Sequence, residues 1–508
     1  MIFFASAFAA VLFFVSVLGA LFAVPILAGN ISFSLAAIIT LAFIVALCLA
    51  APVILDRIFA RFYGLQFISL SELRLRSPAS ASFIEEACKR HSWKVPRLAL
   101  IKEPSPNSFV YGHGIWNARL AVTEGLLNNL DENERVSVYA HEMGHLKNRD
   151  FILMTPMAAL LQLFFELCLR FKFLALPLQG IRMVLEFAVL PLSREKEYLA
   201  DEYASHETHH NHLAMALLKI SYGIAHSESR RLADSARYMG IMDAQSAASG
   251  GIAYHNAKNS RSFESLKRSL SHDFTNPWAS FAELGLAHPL LGKRLKRLSG
   301  FFKDAALDFD AMETNLKEGK MQPAFAKDIF SLAFPFCLSA GFPLLYLLLA
   351  FAGIPFRLGD LAGGWLISAG IASVLLTMYK YPSGVPRAVT AAELALYPNA
   401  SPVHGKLVSL RGRLLDGIIA IGNVFQDKTG FLRVDYKSNM PSFLGPSCKE
   451  LAGKYAKVTG WFTHDTCGTL IVDTVESPEG KANSFVKSAC LMEAAVLMIA
   501  GIIVFLIH

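Results

Sequence analysis

The chain carries no Asp, Glu, Lys, Arg or His between Met1 and Leu55; Asp56 is its first charge. Charge is scarce overall. Of 508 residues 18% are Asp, Glu, Lys or Arg and 53% are apolar, whereas a soluble globular chain carries about 25% charged residues. A disordered or wholly water-soluble protein is excluded, and the composition is that of an integral membrane protein. Cysteine is equally sparse where it could staple. Cys48, Cys168, Cys337 and Cys490 lie in or beside apolar stretches, leaving Cys88, Cys448 and Cys467 in the polar parts. Three scattered thiols give no disulfide framework, so these parts are expected in a reducing compartment. Net charge is +7, with no basic stripe of the kind that binds nucleic acid, and no nucleic-acid partner is expected.

A spanning helix needs about 20 predominantly apolar residues. Residues 1–55 hold two such lengths around Ala28, Gly29 and Asn30; 329–380 hold two more around the break at Arg357 to Asp360; the last span occupies 487–508. The first stretch lacks the positive start of a cleavable signal peptide and is read as retained. Weaker apolar segments at 151–169 and 174–192 form a candidate membrane hairpin, the second carrying Arg182 and Glu186 on one face. The expected plan is two spans in 1–55, a polar domain over 56–328 interrupted by the hairpin at 151–192, two spans in 329–380, a small domain at 381–486, and a final span. Arg57, Arg61, Lys327, Lys380, Arg387 and Lys487 flank the strong spans on one side, which marks that side as cytoplasmic in a cell (inner) membrane.

Two stretches of the polar parts read differently. Residues 244–262, rich in Ala, Ser and Gly, are expected to be a flexible loop. Between 404 and 477, strand-like runs at 406–415, 430–436, 455–463 and 469–475 alternate with turns such as Asp427-Lys428-Thr429-Gly430, predicting a small closed β-domain like an OB barrel. Beside a membrane and without a basic, aromatic face, this domain is expected to contact protein.

Residues 141–145 read His-Glu-Met-Gly-His, and Asp131 with Glu134 offers a capping box for the helix that carries them. Four residues apart, His141 and His145 share a helical face and can bind one zinc through imidazole nitrogens. Glu142 stands beside them to take a proton from water. A catalytic zinc needs a third protein ligand. Glu197 and Asp201, four apart on a further helix, read equally well as a ligand with its orienting partner or as a solvated charged face. The tract His206, His209, His210 and His212 lacks a Glu partner and reads as a solvated helix end; His113 reads as a turn residue.

The run His141 to Asp150, followed by Ser193-Arg194, Glu197-Tyr198 and Ala200-Asp201, resembles the HtpX-like and CAAX prenyl endopeptidase family of membrane zinc metalloproteases. Pro106 to Gly112, Val122 to Leu127, and His288-Pro289 with Arg294 are similar to further motifs of that family, in the same order over roughly 56–300. Ser108 stands where the family has Ala, and Ala287 where it has Thr. The resemblance implies a mainly α, multi-pass membrane protein with a gluzincin-type HExxH metalloprotease domain. It implies one zinc per chain on His141, His145 and Glu197, Glu142 as general base, and Asp201 as orienter. It also implies a polypeptide substrate held by strand addition along Asn107, Ser108, Phe109, Val110, Tyr111 and Gly112, with His288 and Arg294 near the scissile carbonyl. The expected activity is cleavage of membrane or misfolded proteins in quality control. Trimming of lipidated C-termini and a metal-stabilised adaptor without turnover are the alternatives.

Overall fold

The computed structural model describes residues 15, 22, 29–170, 175–227, 232, 236–242, 244–260, 263–300, 321–353, 357–395, 397, 400–419, 422–435, 453–478 and 480–507. Apart from residues 15 and 22 the first expected span lies outside them, as do residues 301–320. The chain divides into two compact units, Met1–His255 with Ala279–Glu313 and Ile419–Ile421, and Asn256–Trp278 with Thr314–Ile418 and Gly422–His508.

The first unit begins with α1, Phe33–Tyr63, started by the Ser32 hydroxyl and ended by Gly64 in the left-handed region. A four-stranded sheet follows: β1 (Gln66–Ile68), β2 (Arg97–Ile101), β3 (Ser108–Tyr111) and β4 (Arg119–Thr123), in the order β1-β2-β4-β3. Helices α2 (Leu70–Arg76) and α3 (Pro78–His91) lie between β1 and β2 in the chain. Strand β3 pairs antiparallel with β4 and is the edge. Ala51, Leu55, Phe59 and Tyr63 of α1 pack on Ala99, Phe109, Tyr111 and Ala121, so a membrane helix lies directly against this sheet.

Helices α4 (Glu124–Asn129), α5 (Glu132–Asn148), α6 (Phe151–Arg170), α7 (Ala175–Glu207) and α8 (His210–His226) come next. The second apolar segment of the expected hairpin and the helix bearing Glu197 are one continuous 33-residue element, α7. Good helix formers fill 194–204, so nothing ends the helix where the apolar segment stops.

Residues 244–260 correct the loop expectation, for they form α9, Ala244–Ser260. Ala247, Ala248 and Ala253 are buried, and the Ser221 hydroxyl of α8 donates to the Ala247 carbonyl at 2.9 Å. The small residues there serve close packing, and alanine is the best helix former. Helix α10 (Phe263–Thr275) belongs to the second unit; α11 (Pro277–Glu283) begins there and runs into the first, to which α12 (Leu291–Gly300) belongs.

The second unit holds α13 (Met321–Phe351), α14 (Leu358–Lys380), β5 (Arg387–Ala388), α15 (Ala391–Ala395), then β6 (Lys406–Ile419), β7 (Gly422–Gln426), β8 (Phe431–Asp435), β9 (Tyr455–His464), β10 (Gly468–Ser477), β11 (Gly480–Asn483) and α16 (Val486–Ile507). Strands β6, β7, β8, β10 and β9 close a five-stranded barrel, with β9 bonded to both β6 and β10, as the OB-like expectation required. Val408, Phe425, Val458, Leu470 and Val472 fill it. Strand β7 was not anticipated. The turn at Asp427 is tied as its sequence suggests, with Thr429 and Gly430 N–H donating to Asp427 Oδ1 at 2.7 and 3.0 Å.

Five helices among the described residues are long and apolar enough to cross a membrane: Phe33–Tyr63, Phe151–Cys168, Ala324–Leu349, Leu358–Lys380 and Val486–Ile507. Helices α14 and α16 meet through glycines. A Cβ on Gly363 would stand 2.8 Å from the Gly501 carbonyl, and one on Gly501 would stand 2.6 Å from the Gly363 carbonyl, the close small-residue packing that replaces the hydrophobic effect between helices in lipid.

Candidate metalloprotease site

The site is assembled where α5 crosses α7. Helix α5 starts with both halves of the anticipated capping box: Glu134 N–H donates to Asp131 Oδ1 at 3.0 Å, and Asp131 N–H donates to Glu134 Oε2 at 2.9 Å. Gly144, between the two histidines, permits the crossing. A Cβ there would stand 2.9 Å from Ala200 Cα of α7. Close approach of the two backbones brings Glu197 over the histidine pair.

His141 Nε2 lies 3.4 Å from Glu197 Oε2, and His145 Nε2 lies 3.7 Å from Glu197 Oε1. Among the described residues these three are the one group of His, Cys, Asp or Glu donors able to share an ion, all three donor atoms lying within 4.8 Å of one another. Ligand atoms held ~2.1 Å from a single tetrahedral ion stand ~3.4 Å apart. All three side chains are buried, yet His141 Nε2 and both Glu197 oxygens make no hydrogen bond to protein. Buried polar atoms are costly when unsatisfied, and an ion at their centre would satisfy all of them. The donor set therefore fits zinc. The histidine tract at 206–212 brings together no such group among its described side chains.

Each imidazole is oriented from behind by a carboxylate. His141 Nδ1 lies 2.9 Å from Asp201 Oδ1, as expected, and His145 Nδ1 lies 3.1 Å from both oxygens of Asp150. Asp150 was missed. Arg149, in the left-handed region at φ 56°, ends α5 and turns the chain back so that Asp150 meets His145. The only sequence signal was its place at the end of the quoted motif. Carboxylates behind metal-bound histidines fix the tautomer and aim Nε2 inward.

The resemblance placed Arg294 and His288 by the scissile carbonyl. In the structure Arg294 is buried, its Nε and Nη2 donating to the two Asp201 oxygens at 2.8 and 2.7 Å and its Nη1 to the Ile241 carbonyl at 2.6 Å. His288 Nε2 bonds the Gly240 carbonyl and lies 3.8 Å from Glu197 Oε1. Glu142 is buried beside the triad, and the Ser108 hydroxyl of β3 donates to its Oε1 at 2.6 Å.

Charge shapes the site. Burial pushes the Glu142 carboxyl above its ordinary range. Burial also acts on Glu197, but His288, His141, His145 and Lys196 outweigh it and hold that carboxyl well below its usual value. For Asp201 the Arg294 guanidinium and His141 likewise overcome burial and lower it. Burial lowers His141, yet Asp201 and Glu197 more than compensate and raise it to about 9. The two carboxylates thus favour the protonated imidazole, and a metal at Nε2 competes with that proton.

Asn107 to Tyr111 are buried. The Asn107 side chain is internal, its Oδ1 accepting from Ser108 and Ile241 N–H at 2.9 and 3.1 Å. Thr123 N–H donates to the Asn107 carbonyl, so residues 107, 109 and 111 bond to β4, and the alternation turns the Val110 amide and carbonyl to the other edge. Of the Arg182–Glu186 pair, the Arg182 side chain lies outside the described residues.

Comparison with known proteins agrees with this geometry. Residues 76–301 match peptidase family M48. A protease HtpX homolog of Pyrococcus abyssi is 29% identical over 265 residues, covering 48% of this chain and 78% of that protein. A protease HtpX homolog of Thermococcus kodakarensis is 27% identical over 208 residues, covering 37% of this chain and 70% of its own length. The crystal structure of S. mikatae Ste24p aligns at 16% identity with a TM-score of 0.32, over 58% of this chain and 64% of that one. With its HExxH helix, its facing glutamate and its membrane helices, the chain is a membrane metalloprotease that carries a peptidase family M48 domain at residues 76–301 and is similar there to protease HtpX homologs.

Proposed function

We propose that the chain is a zinc-dependent endopeptidase that cleaves membrane or misfolded polypeptides at the cytoplasmic surface of the cell (inner) membrane, in protein quality control. The observation that carries the reading is the buried convergence of His141 Nε2, His145 Nε2 and the Glu197 carboxylate, with Glu142 beside them. When bound, zinc supplies the Lewis acid that polarises the scissile carbonyl and acidifies water.

The protein's own groups do the rest. Glu142, its carboxyl raised by burial, accepts a proton from the attacking water and returns one to the leaving amine. Ser108 holds one Glu142 oxygen and leaves the other for that exchange. Asp201 and Asp150 aim the two imidazoles, and Arg294 acts through Asp201 as a positioning residue. The substrate adds as a strand along β3, where the Val110 amide and carbonyl offer the outer edge, and His288 stands beside Glu197 of the triad. The basic flanks of the spans support the cytoplasmic orientation.

The test measures zinc content and cleavage of an unfolded protein by detergent-purified wild type and Glu142→Gln, with and without chelator. One zinc per chain in both, with cleavage by metal-loaded wild type alone, is the expected result. Zinc retained without turnover on any substrate would favour the adaptor, and absence of zinc would refute the site.

A further inference from the structure

The loop between β3 and β4, Gly112 to Asn117, ties the proposed substrate strand to two membrane helices. His113 Nε2 donates to the Leu49 carbonyl of α1 at 2.7 Å, while its Nδ1 accepts from Asn117 Nδ2 at 2.9 Å. Leu49 lies seven residues before Asp56, the first charge of the chain. At 1.5 Å per residue that is roughly 10 Å further toward the bilayer. Around it α1 shows an outward apolar face, with Val45, Leu49 and Val53 exposed by 51, 68 and 43%. On the other side the Gly112 N–H donates to Thr155 Oγ1 of α6 at 3.0 Å. Both helices are candidate spans. The loop is thus pinned between two helices below the level where charge begins.

At its tip stands Trp116, 71% exposed. Its indole lies across Gly114, where a Cβ would come within 2.5 Å of the ring, so any other residue at 114 would push the indole away. A fixed, exposed tryptophan at the depth of an apolar helix face is the arrangement that seats a protein at the boundary between headgroups and hydrocarbon. In water the same side chain would be an unexplained apolar liability.

We infer that the Gly112–Asn117 loop is seated in the bilayer interface and presents β3 to extended segments that leave the membrane beside α1 and α6. This rests on the reading of the chain as a peptidase that binds substrate along β3, and it adds where a membrane-protein substrate is cut: within reach of a loop seated at the bilayer surface. Strand geometry sets the distance. From Gly112 to Ser108, whose hydroxyl bonds Glu142, is four residues, roughly 13 Å of extended chain. Bonds within roughly six residues of the bilayer surface should be cut best, and a scissile bond held further out should lose the benefit of the seat.

The experiment uses the full chain in liposomes. One arm reads tryptophan quenching by lipids brominated at shallow and at deep acyl positions, for wild type and Trp116→Phe. The other four tryptophans are common to both, so the difference belongs to Trp116. A component quenched by shallow brominated lipid and shielded from aqueous iodide is expected; iodide-quenched emission with no lipid quenching would overturn the seat. The second arm compares a membrane-anchored substrate carrying spacers of increasing length with a soluble unfolded protein. Wild type should favour the short spacers. Trp116→Ser should lower cleavage of the anchored short-spacer substrate about tenfold, a loss of roughly 1.4 kcal/mol, and leave the soluble one unchanged. Equal loss on both substrates, or no spacer dependence in wild type, would overturn the delivery role. If wild type cleaves nothing, the peptidase reading fails while quenching still decides the seat.

Discussion

Replacing Arg294 by Met separates two roles for the late motif. The guanidinium is 1% exposed and bonds both oxygens of Asp201, which in turn faces His141 Nδ1 at 2.9 Å. Methionine keeps much of the length and removes every N–H. Asp201 is then left buried with His141 as its remaining close partner. Breaking a buried ion pair from one side costs ~3–5 kcal/mol, most of which falls on the stability of the α7–α12 contact. The share reaching the metal is smaller. Loss of an outer partner of a ligating histidine weakens binding ~10–100-fold, or ~1.4–2.8 kcal/mol. We expect Arg294→Met to weaken zinc binding by that factor, measured by chelator competition on the full detergent-solubilised chain, and to keep kcat near wild type once zinc is saturating. Asp201→Asn should show the same pattern, and the double variant should cost less than the two singles added, because they break one network. A donor to the reacting carbonyl behaves oppositely, with kcat down ~10²–10³-fold and zinc affinity intact. That result would refute the positioning role.

Three further perturbations have defined outcomes. Asp150→Asn removes the carboxylate behind His145 and should weaken zinc affinity ~10–100-fold in the same competition assay, with unchanged helix content by circular dichroism. Gly144→Val forces α5 off Ala200, so purified protein should contain substoichiometric zinc even where it stays folded and monodisperse; full zinc occupancy would contradict the close crossing. In the second unit, the His272 and His464 rings lie tilted by 30° with centroids 3.6 Å apart, both buried. Burial holds His272 well below its ordinary value and His464 at about 4. The folded state therefore binds fewer protons than the unfolded chain, and stability is complete above pH ~6.5 and lost as pH falls toward 4, by ~3 kcal/mol for His464 alone. Thermal unfolding of the full chain across that range should show the loss, and His464→Phe should flatten it.

What the sequence disclosed was local. The four-residue spacing of His141 and His145, the capping box at Asp131 and Glu134, and the apolar lengths of the spans are all written within one or a few helical turns, and period alone reads them. The barrel strands other than β7 followed from alternation between turns. The 244–260 segment failed because Ala, Ser and Gly suit both a loop and a tightly packed helix; burial against α8 decides between them, and composition does not carry burial. Arg294 and Asp201 are 93 residues apart, and His113 and Leu49 are 64 apart. Such pairs exist only once the fold has closed, which is why the resemblance could name Arg294 without naming Asp201 as the carboxylate it bonds.

Charge at the site shows the same dependence on folding and adds a physical reason for the metal. Glu142, Asp150, Glu197 and Asp201 bring four carboxylates around the two histidines, while Arg294 and Lys196 bring two cations, Lys196 Nζ lying 3.7 Å from Glu197. With the imidazoles counted neutral, two negative charges remain in excess among these buried side chains. Uncompensated buried charge is costly, and the excess shows in the raised His141, whose imidazole Asp201 and Glu197 favour in its charged form. A dication cancels the excess completely. In the linear sequence these six residues are a scatter of ordinary acids and bases; only the crossing of α5 and α7, with Asp150 turned back and Arg294 brought in, turns them into a buried cluster whose charge matches a divalent ion.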